Sequence, residues 1–463
     1  MRIKSKWLAI LLTLGLVLAA CSPSGDEGTE TTEGSTATTQ GSTETTAGST
    51  ETTGAAMDIA TDVGVDLEAG TITIGLLSDL TGPFSATVQP IVTGHEIYWD
   101  NVNANGGIHG LQVVLDTVDT GYVVDTHVQK YEELKDQVVA FGHSTGSPHT
   151  MAINDQLQTD GILALPLTWY SGWSDDAINA NLIHHGVPYC LEAMNVLGYL
   201  VDQMGDAVST VAIASMAGDY GLDSYAGAKQ AAETLGLDIV YEGEGAIDIA
   251  DEATLTQVAG DIVGSGADLV WVTTTPTAFS SIFGQALAQG FTATWSGAGP
   301  TYNPAFIAPD SPIKDAIAAQ TYWSAYYGLW DMDTPGVEEA KQLILDSGRF
   351  DAPTSYPIEG FVEGTIMRAA LEKAYENGDM TQAGVLAAAK SLESVDLNGL
   401  GPDEAYVGSN NEQVQRYSAA IWKPDPEALA SGASSGEEVL ETNYSNAITQ
   451  AYEFDSACYQ FGS

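Results

Sequence analysis

Basic side chains are scarce in this sequence: 14 lysines and arginines face 62 aspartates and glutamates, for a formal charge of −48. Such a chain repels phosphate backbones and anionic bilayers, which argues against nucleic acid as a partner and against attachment to membranes through basic patches. The acidity fits a salt-adapted or very soluble extracellular surface and names no ligand. Cysteine is nearly missing, with 3 among 463 residues, and no histidine follows His185. A Gly-x-Gly-x-x-Gly after a strand, a P-loop lysine motif and an EF-hand loop are all absent, so nucleotide, phosphoryl and calcium-loop chemistry lack support and no cofactor is expected. The apolar run from Trp7 to Val17 is too short for an ordinary membrane span.

That run follows Arg2, Lys4 and Lys6, the charged-then-apolar order of a secretory signal. It ends in Leu18-Ala19-Ala20-Cys21, which resembles the bacterial lipobox. The resemblance implies a signal peptide over 1–20 and a lipidated Cys21, hence an extracytoplasmic protein anchored to the bacterial cell membrane, at the cell surface or in the periplasm. Residues 21–57 are almost wholly Ser, Thr, Gly and Glu, too polar to offset their ordering entropy. They read as a tether with a span on the order of 35 Å. Cys190 and Cys458 then remain as an even pair in an oxidising compartment, so a disulfide between them is expected, two buried thiols being the alternative.

The remaining body of about 400 residues exceeds one ordinary core and implies two lobes. After Gly70, short β-rich runs alternate with amphipathic stretches, the pattern of parallel sheets with crossover helices. Strands at Thr71–Leu77, Leu111–Thr117, Val138–Phe141 and Ile162–Leu165 alternate with helices to give one doubly wound lobe. A second series, from helix Leu191–Met204 to helix Phe279–Gln289, repeats it. The strands beyond Gln320 and at Tyr417–Trp422 are expected to return to the first lobe and finish its sheet. The division is therefore 70–187 with 320–423 for lobe 1, and 188–319 with 424–463 for lobe 2. Val88, Ile91, Val92, His95, Trp99 and Val102 share one helical face, which makes His95 a packed core histidine rather than a ligand.

The segments Ile72-Thr73-Ile74-Gly75-Leu76-Leu77-Ser78-Asp79-Leu80-Thr81-Gly82-Pro83-Phe84 and Asn103-Ala104-Asn105-Gly106-Gly107-Ile108-His109-Gly110 resemble the opening of the leucine/isoleucine/valine-binding proteins. The similarity continues through Gly161–Pro166, Gly218–Gly221, Gly264–Val270 and Gly290-Phe291, and covers most of the chain from Thr71 to Trp422. It implies two type I periplasmic-binding-protein-like α/β lobes joined by hinge strands near Gly186–Pro188, Ala318–Thr321 and Trp422–Pro426. The function implied is that of a monomeric, non-catalytic binding protein that delivers a solute to ABC permease subunits. The solute is a small organic molecule: a branched-chain or other amino acid, an amide or a related carboxylate. The first lobe would hold its carboxylate through Ser144, Thr145, Ser147, Thr168, Trp169 and Tyr170. The second lobe would add Tyr220, Thr275 and Tyr302, with Trp173 among the aromatics suited to stacking. Where amino-acid binders usually place a glutamate for the ammonium, this chain has Gly297-Ala298-Gly299-Pro300-Thr301. A buried ammonium without a carboxylate costs several kcal/mol, so the ligand lacks a free α-amino group unless Asp79 or Asp219 substitutes.

Three other readings compete. Gly142-His143-Ser144-Thr145-Gly146 fits the Gly-x-Ser-x-Gly of a nucleophile elbow, with Ser144 as the nucleophile of a secreted serine hydrolase. The later histidines, His149, His184 and His185, all lie within about 40 residues of it and leave the rest of the chain without a general base. His184 and His185 with Cys190 lack metal-ligand spacing, so no metal is expected. A sensing module of the same fold would need a transmembrane or signalling segment, and the sequence through Ser463 offers none.

Overall fold

The computed structural model describes residues 59–179 and 181–460. The expected signal peptide, Cys21 and the tether lie outside the described residues. The first sheet is built from β1 (Thr71–Ser78), β2 (Gln112–Asp119), β3 (Ala140–Thr145) and β4 (Ala164–Leu167), with a short fifth strand, Val65–Asp66, antiparallel to the start of β1. Between them run α1 (Ser85–Ala104), α2 (Val124–Leu134) and α3 (Ser147–Asp160). Strands β1 to β4 are parallel in the order β2-β1-β3-β4. Ile72, Ile74, Leu76 and Leu77 are all buried, because helices cover both faces of a parallel sheet and leave its strands near-continuously apolar.

The second lobe opens with α4 (Tyr189–Met204) and continues through β5 (Thr210–Met216), α5 (Asp219–Leu235), β6 (Asp238–Ile247), α6 (Glu252–Ser265), β7 (Leu269–Thr273), α7 (Pro276–Ala288) and β8 (Thr294–Ser296). Its parallel order, β6-β5-β7-β8, repeats that of the first sheet. In each lobe the switch point lies between the first and third strands, so the loops after β1, β3, β5 and β7 open toward a crevice. This is the two-lobed, doubly wound α/β fold expected from the alternation.

The rest of the chain corrects the expectation that it completes the first sheet. β9 (Trp323–Ala325) precedes α8 (Pro335–Ser347), α9 (Tyr356–Glu376) and α10 (Gln382–Lys390), and β10 (Ser418–Pro424) and β11 (Glu437–Tyr444) follow. The three strands form a separate antiparallel sheet, β9-β10-β11. β11 escaped sequence reading because Glu437-Glu-Val-Leu-Glu-Thr-Asn-Tyr is mostly polar and only half covered. The helices do return to the first lobe. α9 crosses α1 so closely that a Cβ on Gly94 would sit 2.1 Å from the Pro357 carbonyl oxygen. Asp379 and Met380 also pair with Ala60 and Thr61.

Of the expected crossings, Gly186–Pro188 lies just before α4 and Thr321 just before β9, whereas Trp422 sits inside β10. The tail touches both lobes rather than the second alone. Asn446 donates to the Met194 carbonyl on α4 (2.8 Å), and the Tyr170 hydroxyl donates to the Tyr459 carbonyl (2.7 Å). Cys190, in the first turn of α4, is disulfide-bonded to Cys458. Among the described residues no helix is long and apolar enough to cross a membrane.

Candidate ligand cleft

The loop after β1 shows how the sequence shapes the cleft. Asp79 ends the strand region, and its carboxylate accepts from the backbone N–H groups of Gly82 (2.5 Å) and Phe84 (2.9 Å). This turn brings Phe84 to the crevice. After β3, Gly146 adopts φ 95°, and a Cβ there would meet the His149 ring at 2.6 Å and Tyr122 at 2.7 Å, so glycine alone fits. The turn starts α3 at Ser147, which lines the cleft, so the positive end of that helix lies at the crevice, although Pro148 in its first turn has no N–H to offer.

The cleft between the lobes holds about 850 Å³ of space, its open mouth included. Phe84, Val88, Ile91, Tyr122, Thr145, Ser147 and Trp169 line it from the first lobe, and Tyr189, Tyr220, Pro300 and Tyr302 from the second. Tyr326, Tyr327, Tyr356, Trp422 and Glu437 complete the wall. Phe84 meets the edge of Tyr220 across the crevice, with ring centroids 6.5 Å apart. Trp169 stacks on Tyr326 at 3.7 Å, and Tyr189 packs on Tyr220 at 4.8 Å.

Of the residues picked from sequence, Thr145, Ser147, Trp169, Tyr220 and Tyr302 line this cleft. The other four lie behind it, each occupied by a local bond. Ser144 is buried against Thr150 Oγ1 (2.8 Å) and His127 Nε2 (3.2 Å). Thr168 bonds the Ser147 hydroxyl and the Tyr189 hydroxyl, so it positions Ser147 from the rear. Tyr170 points to the tail, with Trp173 packed on its ring at 5.1 Å. Thr275 caps α7 by accepting from Ala278 N–H. The register slips because alternate residues of a strand face opposite sides. The missed residues, Tyr122, Tyr189, Tyr326 and Tyr356, stand at helix or strand ends where a lone tyrosine carries no spacing signal.

The hydrolase reading fails on the same geometry. Ser144 is fully buried and does not line the cleft, and the Nδ1 of His127 has no partner to orient that ring as a triad acid would. Burial pushes His127 down to about 3.

Among the described residues no lysine, arginine or histidine lines the cleft, and its one carboxyl is Glu437. The protein holds that carboxyl through a single oxygen, Oε2. Glu437 accepts from the hydroxyls of Ser355 and Ser435. Glu192, behind the wall, accepts from Gly299 N–H (3.0 Å) and the Tyr326 hydroxyl (2.5 Å). Burial pushes Glu437 up to about 7 and Glu192 up to about 8. Both oxygens of Asp79 bond its own loop, and Asp219, outside the wall and raised by burial to about 7, accepts from Tyr220 N–H through Oδ1 while its buried Oδ2 has no partner.

These raised carboxyls set a pH dependence. Unfolded, Glu192 titrates near ~4.3; folded, it holds its proton up to about 8. Between those values the native state binds more protons than the unfolded chain, so stability is fullest below the window and falls as pH rises through it. Glu192→Gln is expected to flatten part of that fall, with a smaller loss of melting temperature between about pH 5 and about pH 9 than in the wild type. Glu437 and Asp223, each raised to about 7, leave a residual slope of the same sign. Identical melting profiles for variant and wild type would refute the assignment.

A family model described as Periplasmic binding protein matches residues 71–427. The chain is similar to the solved fatty acid ABC transporter substrate-binding protein from Thermomonospora curvata, at 24% identity and a TM-score of 0.76, over 85% of this chain and 97% of that one. It is also similar to an ABC transporter substrate binding protein from Aeropyrum pernix (19%, TM-score 0.68, over 82% and 99%). A branched chain amino acid ABC transporter from Thermus thermophilus with bound valine aligns at 18% identity and a TM-score of 0.63, over 82% and 98%. No curated protein matches the chain. With the family match spanning both sheets and both walls of the cleft, the chain belongs to the periplasmic binding proteins.

Proposed function

We propose that this protein is the extracytoplasmic solute-binding component of an ABC importer, and that its solute is an apolar monocarboxylate, aromatic or aliphatic. The observation that carries this reading is the cleft wall: mostly aromatic and aliphatic, without a cationic side chain among the described residues, and with a single carboxyl, Glu437, whose Oε2 two serine hydroxyls already hold. An α-amino acid needs a charged partner for its ammonium, and burial raises Glu437 to about 7, which disfavours its charged form. A carboxylate fits the hydroxyls of Thr145 and Ser147 at the positive end of α3. The apolar body then packs among Phe84, Trp169, Tyr220 and Tyr326. The fatty-acid name of the Thermomonospora relative agrees with this class, and the valine bound in the Thermus relative supports the amino-acid alternative.

The lipobox supports anchoring through Cys21, which places the folded body on a tether beside the permease. Metabolic labelling with a fatty acid tests that part, and Cys21→Ser should release the protein from membranes. Native mass spectrometry of the purified protein, followed by calorimetry with benzoate, phenylacetate, octanoate, leucine and valine, tests the solute class. Micromolar binding of a carboxylate with no heat from the amino acids is expected. Tight binding of leucine or valine would overturn the class while leaving the binding role intact, and turnover of any bound solute would overturn the role.

A further inference from the structure

Behind the Thr145 side of the cleft lies a polar cluster that solute binding does not use. His95 on α1, His143 in β3, and Glu359 and Glu363 on α9 are all buried, as is His185 in the loop before α4. One Glu363 oxygen, Oε2, lies 2.8 Å from both His95 Nε2 and His143 Nδ1. The ligand atoms of His95, His143 and Glu363 lie within 4.8 Å of one another, as do those of His185, Glu359 and Glu363. Glu359 and Glu363 are one helical turn apart and present to the same side of α9. The close crossing at Gly94 and Gly360 brings that side against α1, since a Cβ on Gly360 would sit 2.5 Å from His95 N.

Hydrogen bonding within the cluster does not satisfy it. Glu363 Oε1 and Glu359 Oε2 have no partner, although both residues are fully buried. Glu363 Oε2 is shared by the two imidazoles and Glu359 Oε1 pairs with His185, so each carboxyl keeps one buried oxygen without a protein partner. A carboxylate oxygen left unpaired in a dry core is costly, and buried charge is normally paired or bound to a metal. We propose that the first lobe holds a divalent transition-metal ion of the zinc class, bound by His95 Nε2, His143 Nδ1 and Glu363, with Glu359 closing the site.

The donor set is right for this ion: two imidazoles and carboxylate oxygens suit zinc and its neighbours better than magnesium or calcium. With the metal on Nδ1, the His143 Nε2–H donates to Thr145 Oγ1, 2.8 Å away, which fixes the ring from outside as such partners do. His185, bonded to Glu359, does the same on the other side. The ion thus fastens α9 to α1 and β3, and Thr145 carries that order to the cleft wall.

The test is metal content. Protein exported and purified without added metal is analysed by inductively coupled plasma mass spectrometry. A second sample is unfolded with a chelator and refolded with equimolar Co²⁺, whose visible d–d bands report ligand geometry. About one equivalent of metal and tetrahedral Co²⁺ bands are expected, with a lower melting temperature in the chelated sample. Glu363→Gln should lose at least nine-tenths of the metal, and His109→Gln, outside the cluster, should lose none. Because Glu363→Gln could fail to fold, the wild-type spectrum decides alone. Less than a tenth of an equivalent from purification, no Co²⁺ bands after refolding and an unchanged melting temperature would overturn the site. Full metal retention in folded Glu363→Gln would overturn it as well.

Discussion

Cys458→Ser is expected to lower the free energy of unfolding by about 2–5 kcal/mol. The bond it removes joins residues 268 apart, and a cross-link over so long a loop restricts the unfolded chain strongly. The effect reaches beyond chain entropy. Cys458 N–H donates to Ser171 Oγ (2.9 Å), and Ala457 N–H donates to Asp175 (3.0 Å), so the tail lies on the segment that leads out of the first lobe. Its partner, Cys190, starts the second. The tail is therefore a strap across the crossing, and cutting its bond should also loosen residues 452–460. Denaturant unfolding with and without reductant measures the first effect. Reductant should bring the wild type to the variant's midpoint and leave the variant unmoved. Equal midpoints for oxidised wild type and variant would show that the tail's hydrogen bonds suffice.

Tyr220→Ala is expected to weaken solute binding about 30-fold or more, the effect of removing a central buried aromatic anchor. Tyr220 enters from the start of α5, where its hydroxyl donates to the Thr274 carbonyl (3.2 Å) and bonds Thr301 Oγ1 (2.9 Å). Those bonds hold the ring toward Phe84 and Tyr189. Because Phe84 belongs to the first lobe and Tyr220 to the second, a solute between them favours the closed arrangement only if it touches both. The variant should therefore lose affinity and solute-induced closure together. Calorimetry and small-angle scattering with the identified solute read the two effects. Tyr417→Ala, at an exposed position, is the control and should change neither. Undiminished affinity in Tyr220→Ala would remove the two-sided grip.

The two parallel sheets were legible in the sequence because each strand pairs with neighbours whose apolar runs announce themselves locally. Tyr220 was expected from resemblance, as the match to the family's pocket tyrosine in its Asp-Tyr-Gly setting, and it lines the cleft. Ser144 turns to the core because alternate strand residues face opposite sides, while its neighbour Thr145, expected with it, lines the cleft; Thr168, beyond the end of β4, backs Ser147. The antiparallel sheet was misjudged because β11 is acidic and half exposed. The histidine cluster was illegible for a different reason. His95 and Glu363 are 268 positions apart, and each alone sits on a helix face that reads as ordinary packing. His184, His185 and Cys190 offered the local cluster, yet only His185 joins the buried set, while Cys190 is taken by Cys458.

The crossing of α1 by α9 also bears on how the chain matures. α1 leaves the ribosome early, but the helix that covers Gly94 and His95 comes from the last third of the sequence. Until that segment has crossed the membrane, the first lobe has an uncovered apolar flank and a set of unpaired polar groups. Contacts so distant along the chain form late and slowly. The N-terminal lobe therefore cannot complete its fold during export, however early it emerges. Until then that flank stays uncovered, the kind of surface through which partly folded chains associate.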